Sequence, residues 1–306
     1  MIDVTVAICT WNRAALLDQT LERLAGVRVP AGLTWEVVVV DNNSSDGTAT
    51  ILARHAGRLP LVPLTELKQG HSHARNCALA VARGRLVLWT DDDVLVEPEW
   101  LARMATAAAA HPDADFFGGP VRPWFEAPPP AWLAGNLDVL GVCFALVDHG
   151  PASHRLAPAE RVVGANVAFR RRAMDRFPFD PEYGRVGAKL TSGDDTRVQE
   201  QVVGAGGHGV WVADAAVEHF LPAASVTTEY VRGIFYWGGY QARAAFDAPA
   251  PTLFGVPRWI LQAWVSAAVR RRLNDARRGP VWARALRDAA KFAGLIRRFR
   301  DDRRAS

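Results

Sequence analysis

Three consecutive carboxylates, Asp91, Asp92 and Asp93, directly follow the apolar run Leu86–Trp89. Adjacent aspartates repel one another, and a cation, hydrogen bonds or full solvation has to offset that repulsion. A hard divalent cation with oxygen ligands is a natural counter-charge, and such an ion usually bridges phosphate groups. A solvated acidic turn is the alternative, but the position at the end of a buried strand favours a metal site.

A second acidic pair, Asp194 and Asp195, lies about a hundred residues further on, at a predicted helix start. Helix N-termini favour carboxylates, so capping is the structural alternative for this pair. Two neighbouring acids exceed what a cap requires. The pair is therefore a candidate for proton transfer during catalysis.

These acids need a scaffold that brings them together, and the first 120 residues alternate strand and helix patterns. Short apolar runs predict strands at Val4–Cys9, Trp35–Val40, Leu61–Leu64 and Leu86–Trp89. Helical patterns occupy three segments: Ala14–Ala25, a segment from Asp46 through His55, and Ser72–Arg83. Gly84 is expected to end the third helix. This order predicts an α/β fold with a parallel, doubly wound sheet that binds ligands at the carboxyl ends of its strands.

Polar residues follow the first two strands at the same predicted edge. Asp41 ends the second strand, where a carboxylate can accept from a ribose hydroxyl or a base N–H, although it could also cap the loop. Asp46 is predicted to cap the next helix. The first strand ends in a hydroxyl, an indole, an amide and a cation that suit a nucleotide: Thr10, Trp11, Asn12 and Arg13.

Together these segments resemble the family 2 glycosyltransferases, which have the GT-A fold. The matching segments, in the family's order and spacing, are Val6–Arg13, Glu36–Thr48, Gly70–Ala78, Leu88–Val94, Val163–Arg170, Ser192–Arg197 and Val217–Phe220. The resemblance implies a GT-A domain over residues 1–250, with a nucleotide-binding half at 1–120 and an acceptor-binding half at 121–250. It places the nucleotide-sugar against Thr10, Trp11, Asn12, Arg13, Asp41, Asn43, Arg75 and Asp91.

The resemblance also implies that an Asp-x-Asp motif holds Mn²⁺ or Mg²⁺ against the diphosphate. Asp91 and Asp93 fit that pattern literally, whereas alignment on the following valine selects Asp92 and Asp93. His219 corresponds to a third ligand in some members, although a lone histidine is otherwise more often structural. Asp195 is the implied catalytic base, with Asp194 as its acidic neighbour, and a single base on the acceptor side implies inversion.

Prolines and tryptophans interrupt the regular pattern between Pro120 and Pro158, which predicts an irregular surface loop beside a binding cleft. Trp124 and Trp132 in this segment could stack on a sugar ring or serve as packing anchors. His71 and His73 precede Arg75 and are expected near the diphosphate, unless they belong to a solvated loop.

The C-terminal extension, residues 251–306, is predicted to form basic amphipathic helices broken near Gly279 and Pro280. Residues 250–306 carry 14 Lys+Arg against 4 Asp+Glu, and the rest of the chain carries 22 against 28. Arginines among tryptophans and leucines at helical spacing favour an anionic membrane surface, and a helical pair packed on the domain is the alternative. Nucleic acid is not expected as a partner, because no nucleic-acid-binding module accompanies the basic residues.

The remaining features indicate a cytoplasmic protein, and the basic extension leaves open a peripheral position on the inner face of a membrane. The apolar start Val4–Ile8 lacks a basic region before it, no run of about 18 apolar residues occurs, and Cys9, Cys77 and Cys143 form no CxxC pair. These patterns predict no signal peptide, no membrane span and reduced thiols.

The predicted function is transfer of a sugar from a nucleotide-sugar, by default UDP-linked, to a saccharide or lipid-linked acceptor in polysaccharide biosynthesis. A sugar nucleotidylyltransferase would show a Gly-rich loop after the first strand, and residues 10–13 contain no glycine. A non-catalytic scaffold of the same fold would be expected to lose the metal acids or the base, and both are present.

Overall fold

The computed structural model describes residues 2–184, 193–242 and 251–305. The chain forms two compact units. In the described residues, the first unit contains 2–124, 145–184 and 193–220, and the second contains 125–144, 221–242 and 251–305. Ser192 of the motif Ser192–Arg197 and the last part of the predicted acceptor-binding half, 243–250, lie outside the described residues.

The first unit is built on one central sheet, for which the described residues supply eight strands in the order β3-β2-β1-β4-β9-β6-β10-β8. These strands are β1 (Val4–Thr10), β2 (Trp35–Asp41), β3 (Leu61–Thr65), β4 (Leu86–Trp89), β6 (Phe116–Gly118), β8 (His154–Arg155), β9 (Val167–Arg170) and β10 (Gly209–Trp211). β3, β2, β1 and β4 are parallel neighbours, while β9 runs antiparallel to β4 and β6. The predicted α/β sheet is confirmed, with a parallel half and a mixed half.

Alternation along β1 divides the core of this unit into two layers. Val6 and Ile8 belong to a cluster that includes Trp100 and Met104, whereas Ala7 lies in a second cluster with Ala78. Successive strand residues point to opposite faces, so a strand buried on both faces is apolar throughout. The helices that follow the strands are α1 (Ala14–Ala25), α2 (Thr48–His55), α3 (His71–Val81), α4 (Trp100–Ala110), α7 (Arg171–Arg176) and α8 (Asp194–Gly204).

A smaller sheet lies beside the end of β4. Its strands are β5 (Val94–Val96), β11 (Val217–Leu221) and β7 (Val121–Phe125), in that order. β5 and β11 run antiparallel, with His219 opposite Val94. The strand β5 begins directly after the aspartate run, so this ladder ties the run to a segment more than a hundred residues away.

Two expectations about local structure are wrong. α3 ends at Val81, so Gly84 does not stop it; a Cβ at Gly84 would overlap the backbone of Thr5 in β1, and this close approach is why glycine stands there. The segment from Pro120 to Pro158 is not irregular throughout, because it contains β7, β8 and two short helices, α5 (Ala131–Ala134) and α6 (Leu137–Leu140). Pro123 fits an edge strand, and Pro130 directly precedes α5.

The second unit is mainly helical. α9 (Thr228–Gln241) and α10 (Arg258–Leu273) both contact α11 (Pro280–Ala305), and a two-stranded hairpin, β12 (Thr252–Leu253) with β13 (Val256–Pro257), precedes α10. The predicted helical extension with a break before Pro280 is confirmed. The predicted domain boundary at 250 differs from the division between the units, since α9 packs with the C-terminal helices.

Glycine allows α9 and α11 to approach closely. A Cβ at Gly239 would overlap the backbone carbonyl of Lys291, and one at Gly294 would overlap that of Tyr236. Gly238, the neighbour of Gly239 on the same helix, has nothing within 4 Å of its added Cβ. Gly239 therefore lies at a close contact between two helix backbones, whereas Gly238 has open space beside it.

We expect Gly239→Ala to destabilise the chain by about 1–3 kcal/mol, because the added methyl group forces apart two helix backbones. Gly238→Ala is the matched control, and it should be neutral or stabilising by up to about 1 kcal/mol, since alanine is the better helix former. Urea unfolding followed by circular dichroism measures both. Equal midpoints for the two variants would contradict the packing described for α9 and α11.

In the segments that the structure describes, no helix combines the length and the apolar character needed to cross a bilayer. Cys9, Cys77 and Cys143 are free thiols.

Candidate active site

The carboxyl ends of β1 and β2 lie side by side, with Thr10 opposite Asp41. The two loops that follow these strands are joined by hydrogen bonds: Asn12 Oδ1 accepts from the Ser45 amide at 2.7 Å, and the Asn12 amide donates to Ser44 Oγ at 2.9 Å. One oxygen of Asp41 accepts from the Ser44 amide at 2.8 Å. Asn12 and Asn43 both have positive φ, which asparagine tolerates better than most residues.

Asp46 is a structural residue, as its position predicts. Its carboxylate accepts from the amide of Ala14 at the start of α1 and from the amide of Thr48 at the start of α2. The N-cap residue of α2 is Gly47, so Asp46 lies one residue before the predicted cap position, although its carboxylate binds the first amide of the helix. Asn42, which the sequence patterns did not single out, is buried and holds the loop at 66–70 through its side-chain amide.

The middle aspartate of the run, Asp92, turns inward. Its carboxylate accepts from Thr10 Oγ1 at 2.7 Å and from Arg13 at 3.0 Å. Arg13 also donates to Asp93 at 2.6 Å, so one guanidinium neutralises part of the charge of two neighbouring acids. Burial, and then the charge of Asp93, raises the pKa of Asp92 to about 6 against the opposing effect of Arg13. Thr10 and Arg13 thus support the acidic run directly.

The outer aspartates of the run converge with His219. One ligand atom from each of Asp91, Asp93 and His219 lies within 4.8 Å of the other two. His219 Nε2 is 3.3 Å from Asp93 Oδ1, and the Asp91 side chain is 30% exposed, so the group is open on its Asp91 side. Carboxylates suit Mg²⁺ and Mn²⁺, and imidazole adds a nitrogen donor. These three residues would fit a divalent ion.

Backbone pairing explains why His219 reaches the acidic run. β11 pairs antiparallel with β5, and the amide of Phe220 donates to the carbonyl of Asp93 at 2.9 Å. His219 is therefore held next to Asp93 by a ladder. Neither spacing nor composition reveals this pairing, and only the family resemblance pointed to His219.

Asp194 and Asp195 begin α8, as the sequence predicts, and both are buried. Asp194 accepts from Arg75 at 3.0 Å and lies 3.4 Å from Nδ1 of His71. Burial acts to raise the pKa of Asp194, but Arg75 and then His71 outweigh it and hold that pKa below the ordinary value. Asp194 is therefore an ionised carboxylate in a fixed ion pair.

Asp195 lies in a different electrostatic environment from its neighbour. Its exposed fraction is 9%, and the backbone at Thr196 and Gly164 acts to lower its pKa. Burial, and then the negative charge of Asp194, raises the pKa of Asp195. A carboxylate with a raised pKa is a stronger proton acceptor, which is what a general base requires.

Arg75 links the two acidic motifs. Its guanidinium packs against the rings of Trp89 and Phe179, at 5.5 and 5.0 Å from their centroids, and a Cβ at Gly164 would overlap it. While one nitrogen pairs with Asp194, another lies 3.9 Å from Asp91. Arg75 is only 3% exposed. The structure therefore directs it to the acids, and its predicted contact with nucleotide phosphates stays a prediction.

Other predicted site residues lie at the margin or elsewhere. Trp11 and Asn43 are exposed at the edge where β1 and β2 end. Trp124 packs on Phe220 with ring centroids 4.8 Å apart, and Trp132 packs on Trp282 at 5.9 Å. The packing alternative for these two tryptophans is therefore what the structure shows.

Comparison with known proteins assigns the first part of the chain to a family. Residues 5–139 match the sequence model of glycosyl transferase family 2, a span of 135 of the 306 residues. These residues form a family 2 glycosyltransferase domain. The span includes β1, β2, β4 and the whole Asp91–Asp93 run, whereas Asp194, Asp195 and His219 lie beyond it.

Relatives of this glycosyltransferase domain include two named proteins of glycan synthesis. Succinoglycan biosynthesis protein ExoM of Rhizobium meliloti is 28% identical over 169 residues, which cover 50% of this chain and 53% of ExoM. Glucosyl-dolichyl phosphate glucuronosyltransferase of Haloferax volcanii is 25% identical over 250 residues, covering 78% and 76% of the two chains. The chain thus matches about half the length of one relative and three-quarters of the other.

Solved structures place the glycosyltransferase domain in the GT-A fold. The mannosyltransferase PcManGT from Pyrobaculum calidifontis, in complex with GDP-Man and Mn²⁺, has a TM-score of 0.63 at 21% identity, covering 97% of this chain and 87% of that one. TarS from S. aureus in complex with UDP has a TM-score of 0.57 at 18% identity, covering 100% and 92%. These likenesses establish the fold.

Proposed function

We propose that this chain is an inverting, divalent-metal-dependent glycosyltransferase that moves a sugar from a nucleotide-sugar to a hydroxyl of a saccharide or lipid-linked acceptor. The observation that carries the proposal is the linkage of two acidic motifs in one site. Asp91, Asp93 and His219 form one group, and Arg75 lies between that group and the Asp194–Asp195 pair. A scaffold protein would have no need for this arrangement.

The metal group accounts for the departure of the nucleoside diphosphate. Asp91, Asp93 and His219 would hold Mn²⁺ or Mg²⁺, which when bound neutralises negative charge on the leaving diphosphate. Arg13 and Thr10 hold the neighbouring Asp92, and so fix the backbone on which the outer two acids stand. The Mn²⁺ named with the mannosyltransferase structure supports this assignment.

Asp195 is the proposed base. It would accept the proton of the acceptor hydroxyl while that oxygen attacks the anomeric carbon and the bond to the diphosphate breaks, a single displacement that inverts the configuration. Asp194 stays ionised through Arg75, and its charge makes Asp195 the better proton acceptor of the two. Adjacent acids with pKa values shifted in opposite directions are a known sign of acid–base assignment.

The edge formed by β1 and β2 is the proposed nucleotide site. Asp41, Trp11 and Asn43 lie there, and a cavity of about 380 Å³ is lined by Asp41, Thr65 and apolar side chains of α2. A carboxylate and an exposed indole supply a hydrogen-bond acceptor and a stacking surface for a nucleoside. UDP is the default nucleotide of the donor, with GDP and dTDP as alternatives. Neighbouring structures are named with UDP and with GDP-Man.

The relatives' names and the charge of the chain support an acceptor class and a cellular location. ExoM is named for succinoglycan biosynthesis, and the H. volcanii relative for glucosyl-dolichyl phosphate, which supports a saccharide or lipid-linked acceptor here. The basic residues at 250–306 support a cytoplasmic position at the inner face of a membrane.

Incubation of the chain with UDP-, GDP- and dTDP-sugars tests the proposal without knowledge of the acceptor. Many transferases pass the sugar slowly to water, so nucleoside diphosphate should accumulate with one donor when Mn²⁺ is present and stop accumulating with EDTA. The same donor should raise the melting temperature only together with Mn²⁺. No release and no stabilisation with any donor would overturn the proposal.

A further inference from the structure

An apolar stripe runs along the solvent-exposed side of α10. Val265, Val269 and Leu273 are spaced four residues apart, which places them on one helix face. Val269 is 51% exposed and Leu273 is 77% exposed, whereas Ile260 and Ala267 on the other side of the helix are buried. A surface helix normally carries polar residues on its exposed face, so the apolar stripe requires an explanation.

Positive charge flanks the apolar stripe at both ends. Arg258 opens α10, and Arg270 and Arg272 lie in its last turn, all three exposed. α10 contains no Asp or Glu. Exposed Trp264 adds an amphipathic ring of the kind found at membrane interfaces. The helix therefore combines apolar, aromatic and cationic side chains on its surface.

The hairpin directly before α10 presents a second apolar group. Phe254 and Gly255 form its two-residue turn, and both have positive φ. Asparagine or glycine normally occupies the first of these positions, because a bulky side chain is disfavoured there. Phe254 is nevertheless 74% exposed and Leu253 is also exposed, so local packing does not explain the aromatic ring at this turn.

We propose that the apolar stripe of α10 and the Phe254 turn dock on an anionic lipid bilayer, with the flanking arginines on the lipid headgroups. The helix would lie in the plane of the membrane interface. No helix in the described residues is long and apolar enough to span a membrane. A second copy of the chain fits poorly, because facing copies of α10 would bring its arginines together. Nucleic acid fits poorly as well, because a polyanion offers no partner for the central valines.

This inference rests on the proposed function, because docking on a bilayer would bring the enzyme to a lipid-linked acceptor. The binding itself needs neither donor nor metal. Asp195→Asn should therefore bind vesicles like the parent chain. A chain that binds vesicles but never releases nucleoside diphosphate would overturn the proposed function and leave this inference standing.

Co-sedimentation of the full chain with vesicles tests the proposal. We expect binding to phosphatidylcholine vesicles that contain about one-third phosphatidylglycerol, and much weaker binding to phosphatidylcholine alone. Replacing the apolar stripe by Val265→Asn, Val269→Asn and Leu273→Asn should weaken binding by about tenfold or more. The matched control carries Val29→Asn, Leu67→Asn and Val142→Asn, three exposed apolar residues elsewhere, and should bind like the parent.

The charge component is tested separately. Arg258→Gln, Arg270→Gln and Arg272→Gln should each weaken binding about fivefold at low salt. The control replaces Arg23, Arg122 and Arg155, which are exposed arginines of the first unit, and should change binding little.

Three outcomes would overturn the inference. The parent chain could fail to co-sediment with anionic vesicles, or the stripe variant could bind as well as its control. Alternatively, sedimentation without lipid could show a dimer that the stripe variant loses, which would make this face an interface between copies. Circular dichroism of the stripe variant confirms that it is folded, and substitutions at exposed positions rarely disturb folding.

Discussion

Asp195→Asn is expected to lower kcat by about 10²–10⁴-fold while leaving the chain at least as stable as the parent. Asparagine keeps the size of the side chain but cannot accept the acceptor's proton. Because burial and Asp194 raise the pKa of Asp195, the folded chain binds this proton more tightly than the unfolded chain does. Its ionisation near neutral pH therefore costs stability, and an uncharged amide removes that cost.

The pH dependence of kcat/KM follows from the same raised pKa of Asp195. A base works only when ionised, so kcat/KM of the parent should fall as pH drops through the pKa of Asp195. That pKa lies above the ordinary aspartate value of about 3.9. The residual activity of Asp195→Asn should lack this acid limb. Steady-state kinetics across pH on the identified donor measure both, and an unchanged acid limb would contradict the assignment of Asp195.

Asp194→Asn is the matched control, since it makes the same substitution one residue earlier. The pKa of Asp194 is lowered, so its charge contributes stability that is present above about pH 3.9 and lost as pH falls. Asparagine at this position leaves the buried Arg75 without its anionic partner, and we expect a loss of about 3–5 kcal/mol. Opposite effects on stability at adjacent positions would distinguish a base from a structural ion pair.

Asp93→Asn is expected to raise the Mn²⁺ concentration for half-maximal activity by about 10–100-fold or more, with Asp91→Asn acting in the same direction. Mutation of residues that only orient metal ligands already costs this much, and a direct ligand should cost at least as much. Kinetic titration with Mn²⁺ at saturating donor measures the change. An unchanged Mn²⁺ requirement in both variants would contradict the assignment of Asp91 and Asp93.

Asp92→Asn provides the control for the metal variants, because Asp92 faces Thr10 and Arg13. We expect it to change the Mn²⁺ requirement much less than Asp93→Asn does. The comparison decides between the two pairs of metal ligands that the sequence leaves open, Asp91 with Asp93 or Asp92 with Asp93. A larger effect at position 92 than at position 91 would favour the register that begins one residue later.

The sequence predicts the scaffold of this site because strand ends carry strong local signals. Apolar runs locate β1, β2 and β4, and parallel strands bring their carboxyl ends to one edge, so Thr10, Asp41 and the aspartate run were expected together. Asp194 and Asp195 at the start of α8 were also predicted. These features depend on periodicity and on residues next to one another in the chain.

The remaining features depend on pairings between distant segments. The β5–β11 ladder brings His219 to Asp93, and packing against Trp89 and Phe179 holds Arg75 beside Asp194. A glycine after a helical pattern predicts a helix end, whereas the contact of Gly84 with β1 is invisible in the local sequence. The prolines after Pro120 predict a loop. This prediction is unreliable, because an edge strand and a helix N-terminus also accept proline.

The most direct test of the central claim is the configuration of the sugar released from an α-linked donor. With Mn²⁺ and UDP-α-glucose, GDP-α-mannose or whichever α-linked donor stabilises the chain, proton NMR should detect the β-anomer first, before mutarotation mixes the two forms. Asp195→Asn should release little sugar in the same time. Initial release of the α-anomer, or equal release without a divalent metal, would contradict the proposed single displacement at Asp195 beside a metal held by Asp91, Asp93 and His219.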